Sequence, residues 1–238
     1  MNLYAYVGGD PINNVDPLGL KKSRVCTTVR NGRTKRCVTM ETGDMTRQQI
    51  RRLGRVLDWF ILANAGNDIS SRIVGIVFRG GSPEAQDLAR VVMQVALQMH
   101  KMYDSATYRR VRNGIQVVQL ESDQRLQGHG GQYDPRTLTV TLNINLLMSN
   151  LRNAIQVSIH EGTHASRRRE FSYTPRMDIY DRARVEGRTE AYASRVGRNG
   201  GLRWQTRCSY ADYVTWVGEV SANCVSSPPR QLGYETWD

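Results

Sequence analysis

The 238-residue chain is most informative at first for what it lacks. No apolar run approaches the ~18–20 residues that a membrane-spanning helix needs. With a hydrophobic share of 39%, the composition is that of a soluble globular protein. The opening Met1–Tyr6 has neither a basic n-region nor an apolar h-region, which reads against a secretion signal there. No internal repeat or low-complexity tract is visible. No C-x-x-C pair occurs, so a cysteine-based zinc site is not expected. Histidine is scarce, with four in the whole chain.

What the chain has in excess is positive charge, +11 overall. Such a charge suits a polyanion or an acidic partner. Yet the arginines are scattered and few aromatics are interleaved as stacking platforms, which disfavours a nucleic-acid groove. The densest run, Arg167-Arg168-Arg169, has two readings: a rim that touches substrate, or cations at a helix C-terminus, where the macrodipole favours them.

The four cysteines fall into two local pairs. Cys26 and Cys37 flank Asn31-Gly32, a hairpin-turn signal, and cross-strand positions of a hairpin can bridge. Cys208 and Cys224 lie together near the other end. Two disulfides, and a destination outside a reducing cytosol, are the expectation.

Punctuation by Pro, Gly and Asn sets residues 1–20 apart from the rest, and Lys21-Lys22-Ser23-Arg24 follows as a basic stretch. Residues 21–238 read as one domain. Val25–Met40 suggests a hairpin. Ile50, Leu53, Val56-Leu57 and Phe60-Ile61 recur at helical spacing over 45–64. Ile73–Phe78 and Ile115–Leu120 are strand candidates. Ser82-Pro83 marks a helix start, with the helix running to about His100 or Tyr103. Leu138–Leu142 alternates as a strand would, in the position of a substrate-facing edge strand. A long helix is expected from about Leu146 to Arg169. The fold class is α+β, a small mixed sheet packed on that helix with further helices around it.

That helix carries His160-Glu161-Gly162-Thr163-His164. Residues four apart share a helix face, so His160 and His164 can place two ring nitrogens on one zinc ion. Glu161 is then the general base for a zinc-bound water. With so few histidines the H-E-x-x-H pattern arises by chance in roughly a few chains per thousand, which favours chemistry over coincidence. A third ligand is required. The downstream carboxylates include Glu170, Asp178, Asp181, Glu186 and Glu190. Of these, Glu190 in Arg188–Ala193, which reads as a second helix, is the best candidate, with Glu186, one turn earlier on the same face, as its rival; the preference for Glu190 comes from its E-x-x-A context. An oxyanion stabiliser is also needed; likeness to metallopeptidases implies a Tyr or a His, for which Tyr133, Tyr180, Tyr192 and His129 are the candidates, while His100 reads as structural.

Two resemblances attach to these residues. Asn2-Leu3-Tyr4-Ala5-Tyr6-Val7, then Asp10-Pro11 and Asp16-Pro17-Leu18-Gly19-Leu20, resembles the end of the core of Rhs (rearrangement hotspot) polymorphic toxins. The resemblance implies that a toxin domain follows, released by cleavage between Leu20 and Lys21 through a centre that uses Asp16. The rest of that centre is missing here, so this chain alone should not cleave itself. The second resemblance is to gluzincin metallopeptidases, zincin-like in fold, on the H-E-x-x-H and the later E-x-x-A at Glu190. It covers about residues 130–195 and implies Zn2+ held by His160, His164 and Glu190, with Glu161 as base. A metzincin pattern is disfavoured because position 170 is Glu rather than His.

Together they imply a secreted effector delivered into a target cell, a protein substrate there, a cognate immunity protein, and the Rhs shell as the remainder of the parent. The alternatives are a nuclease toxin, for which no motif is present, and a non-enzymatic module stabilised by a metal.

Overall fold

Val25, Val38 and Met40 are spaced to face one side of a hairpin, and the structure, a computed structural model, buries all three. It describes residues 21–29, 34–126, 130–174 and 176–204, without the side chains of residues 179, 180 and 183. The readings placed on residues 1–20, His129, Cys208, Cys224 and the Tyr180 side chain therefore lie outside the described residues. The architecture is α+β, with two small sheets and seven α-helices among them. No helix there is long and apolar enough to cross a membrane.

The hairpin pairs β1 (Lys22–Thr28) with β2 (Lys35–Glu41) antiparallel. Cys26 lies opposite Cys37 and the two are joined by a disulfide. Helix α1 (Arg47–Val56) crosses this hairpin at Gly54, where a Cβ would fall 2.0 Å from the Cys26 carbonyl oxygen. Thr46 and Gln49 close a capping box at its start. The expected helix over 45–64 is two helices. Leu57 leaves helical geometry, and α2 (Asp58–Ala63) restarts after it, with the Asp58 side chain accepting from the Trp59 N–H.

The centre of the molecule is α3 (Pro83–Tyr103), started by Ser82 as cap with Pro83 in the first turn. Every residue from Val91 to His100 is buried, so this helix is surrounded rather than amphipathic. Its buried polar side chains are hydrogen-bonded: Gln94 pairs with both backbone groups of Glu41, and Gln98 bridges Asn64 and Arg72. Helix α4 (Ser105–Asn113) follows at once, capped by Asp104.

The second sheet holds β3 (Val77–Arg79), β4 (Val117–Glu121), β5 (Gly131–Asp134) and β6 (Thr139–Asn143) in the order β3-β4-β6-β5. The first three neighbours run parallel and β5 is antiparallel to β6. The strand expected from Ile73 begins only at Val77, because Ser70–Ile73 forms a 3-10 turn. The alternating segment 138–142 is not an edge strand: β6 is flanked on both sides, and β5 takes the edge.

The helix expected from Leu146 to Arg169 is also divided. Helix α5 (Ile144–Ser149) ends at Asn150, which leaves helical geometry and whose side chain caps a new helix α6 (Leu151–Ala165) by accepting from the Asn153 N–H. Asparagine competes with the helical hydrogen bonds and so favours such a junction. The last helix, α7 (Ile179–Asn199), packs along α6 and against α3.

Removal of the hairpin crosslink by Cys26→Ser with Cys37→Ser should lower unfolding free energy by about 3 kcal/mol, the chain-entropy value for a loop of this length. Denaturant titration checks it; an unchanged midpoint would show that the hairpin is held by its packing on α1 alone.

Candidate metal centre

The site lies between the C-terminal half of α6 and the middle of α7. From α6 come His160, Glu161 and His164; from α7 come Glu186 and Glu190. Glu161, His164 and Glu186 are buried, and His160 is nearly so. His160 Nε2 and His164 Nε2 are 3.2 Å apart. Glu186 closes the group, with one oxygen 3.0 Å from His160 Nε2 and the other 3.2 Å from His164 Nε2. These three residues form a group that could hold a metal ion. The separations match the edge of a tetrahedron with ~2.0–2.1 Å metal–ligand bonds, about 3.3 Å.

The outer ring nitrogens show why the inner ones are available. His164 Nδ1 lies 2.7 Å from the Phe171 carbonyl oxygen. A carbonyl only accepts, so the proton sits on Nδ1 and the neutral ring turns a lone pair on Nε2 inward. His160 Nδ1 lies 3.0 Å from Glu190 Oε2, which fixes the same tautomer there. Two imidazole lone pairs and a carboxylate then converge, three acceptors on one point. Such a group is stable only around a cation or an added proton. Burial opposes charge on His160, but the hydrogen bond and charge of Glu186, the hydrogen bond of Glu190 and the charge of Glu161 outweigh it and hold its pKa well above the ordinary value. Burial likewise works to raise Glu186, yet the two histidines bring it down to about 2.

Glu190, preferred in the sequence as third ligand, is thus turned to the outside of His160, and Glu186 occupies the inner position. Both lie on one face of α7. The difference is one helical turn of depth, about 5.4 Å, and which turn lies level with the histidines depends on how α7 docks on α6.

Glu161 lies between this group and β5: a Cβ at Gly131 would stand 3.5 Å from its Cγ, and its carboxylate feels the charges of His160, His164 and Glu186. The Tyr133 backbone N–H faces its carboxylate, and burial, only partly offset by His160 and His164, raises its pKa. The β5–β6 ladder explains that N–H. The Asn143 N–H bonds to the Gly130 carbonyl, so the backbone groups of Gly131 and Tyr133 alternate to the side away from β6. Gly130 and Gly131 allow the approach: a Cβ on either would come 2.7 Å from a Val157 methyl.

His100 holds α6 from the opposite side. Its Nε2–H donates to the Ile159 carbonyl, 3.2 Å away, and Thr163 Oγ1 donates to the same oxygen. A Cβ at Gly162 would stand 3.2 Å from His100 Nε2, so the glycine inside the histidine motif sits where α3 presses closest. The oxyanion candidates divide. Tyr133 donates its hydroxyl to the Gly114 carbonyl and is buried, and Tyr192 faces Asp104 and stacks on His100, so both hydroxyls are committed elsewhere. Tyr173, not singled out in the sequence, stacks on the His164 ring at 5.4 Å. Arg167 and Arg168 follow the end of α6; Arg168 reaches back to Thr107 on α4 and covers the Phe171 ring, so it braces the loop that supplies the Phe171 carbonyl.

Burial depresses the His100 pKa from its ordinary 6.5 to about 4. The folded protein keeps His100 neutral while the unfolded chain takes up a proton. Its contribution is therefore complete above pH 6.5 and is lost as pH falls toward 4, a loss of about 3 kcal/mol. His100→Gln should flatten this part of the stability–pH curve relative to the parent; parallel curves from pH 7 to 4 would contradict the assignment.

Compared with protein-family models, curated proteins and solved structures, the chain matches none.

Proposed function

We propose that the chain is a zinc-dependent metallopeptidase, zincin-like in fold, with His160, His164 and Glu186 as ligands and Glu161 as general base. The observation that carries this reading is the convergence of three acceptor atoms from those ligands, each histidine held in the required tautomer by a partner on its far nitrogen. A carboxylate or carbonyl behind a ligating histidine is the usual support of a metal site. Three protein ligands beside a fourth, unligating carboxylate favour a catalytic over a structural metal.

Zinc, when bound, supplies a Lewis acid for the scissile carbonyl and brings a water pKa toward ~7. The chain's own residues do the rest. Glu161, buried beside the ligands with its pKa raised, takes a proton from the attacking water and returns it to the leaving amine. The Tyr133 N–H keeps its carboxylate aimed into the site. The peptide substrate is what the gluzincin-like pattern of residues 130–195 implies.

The biological role rests on the Rhs-like segment Asn2–Leu20. On that resemblance the domain is an effector freed from its shell after Leu20, delivered into a target cell, and neutralised in its producer by an immunity protein. The Cys26–Cys37 disulfide suits passage through an oxidising compartment.

Glu161→Gln should bind one zinc per chain like the parent while cleaving a generic protein substrate 10²–10⁴-fold more slowly. Glu186→Ala should lose the zinc itself. Metal analysis alongside the cleavage assay reads both. A parent free of zinc, or a Glu161→Gln variant with full toxicity, would sink the proposal, and degraded nucleic acid beside intact protein would point to the nuclease alternative.

A further inference from the structure

The segment that follows α7 returns across both helices of the site. Gly201, in the left-handed region at φ +83°, turns the chain back, and the Leu202 N–H bonds to the Gly197 carbonyl. Leu202 is buried. The Arg203 carbonyl accepts from Gln156 Nε2, on α6 one turn before His160. Trp204 then lays its ring over Gly197, where a Cβ would stand 2.3 Å from Cε3. Its indole N–H donates to Glu190 Oε1 at 2.8 Å.

Glu190 is therefore held at both oxygens. Oε2 receives the His160 Nδ1 proton and Oε1 receives the Trp204 proton. A carboxylate with a single partner could rotate, or turn to the inner position already filled by Glu186. Pinned at both ends it keeps one orientation, and with it one tautomer and one ring angle for His160.

We infer that residues 201–204 form a strap coupled to the metal centre, in which Trp204 acts through Glu190 as a positioning residue that sets the site's affinity for zinc. This rests on the metallopeptidase reading. Partners one step behind a metal ligand typically change affinity 10–100-fold when removed. Coupling is reciprocal, so zinc should hold the strap down by the factor by which the strap tightens zinc.

The test measures zinc affinity of the full chain by competition with a chromophoric chelator. Trp204→Phe should weaken zinc about tenfold. Gly197→Ala should do the same without touching any hydrogen-bonding group, because the new methyl displaces the indole while alanine favours the helix. In a Glu190→Ala background, Trp204→Phe should add less than about twofold, since the indole then has no acceptor to hold. Hydrogen exchange at the Leu202 amide should slow when zinc is added to the parent.

A Trp204 that only packs would lower thermal stability equally with and without zinc and leave the affinity unmoved. Zinc affinity within about twofold of the parent in both Trp204→Phe and Gly197→Ala would overturn the strap while leaving the metal reading intact. Full additivity with Glu190→Ala would overturn the route through Glu190. A parent that binds no zinc would overturn both.

Discussion

Five ionisable side chains share one mostly buried space between α6 and α7, and most of the surrounding structure answers that constraint. Two unit charges 3 Å apart interact by about 5 kcal/mol even at an effective dielectric of 20. Three carboxylates gathered there without compensation would push the helices apart. Two histidines and a central cation, whether proton or metal, reverse the sign. The arrangement is tolerable because each outward-facing polar atom has a partner: the Phe171 carbonyl behind His164, Glu190 behind His160, the Tyr133 N–H before Glu161. Where polar groups cluster in low dielectric, satisfying all of them is the condition for a single conformation.

Those partners come from every side of α6. The loop after its C-terminus gives the Phe171 carbonyl, β5 gives the Tyr133 N–H, and α7 gives both glutamates. Close approach is secured by glycines at the contacts. Gly162 admits His100 from α3, and Gly130 with Gly131 admits the edge strand against Val157. The helix is gripped between a buried helix and a sheet edge, and this confines the imidazoles to one ring orientation. A site built on such rigid elements keeps its geometry better than one carried by loops.

Much of the fold was legible in local patterns. The Ser82-Pro83 start of α3, the hairpin about Cys26 and Cys37, and strand β4 follow from capping preference, turn chemistry and alternation, which act over a few residues. The misreadings share a cause. The segments 45–64 and 146–169 carry helical periodicity across Leu57 and Asn150, yet each breaks there, because periodicity records which residues face the core and not whether the backbone between them is continuous. Strand β6 alternates as an edge strand would, but β5, the strand just before it, pairs on one side and β4 from earlier in the chain pairs on the other, and alternation does not record how many neighbours a strand has.

For the site, the sequence by itself determined the pair His160 and His164, the glutamate beside them and a short list of carboxylates, because helical spacing places i and i+4 on one face whatever the rest of the chain does. Only the tertiary structure brings Glu186, rather than Glu190, to the inner nitrogens of the two histidines. Both glutamates lie on the same face of α7, and the choice depends on the axial offset between two packed helices, which no local pattern encodes. The same holds for Trp204, forty residues beyond His164 in the chain but joined to His160 through a single carboxylate.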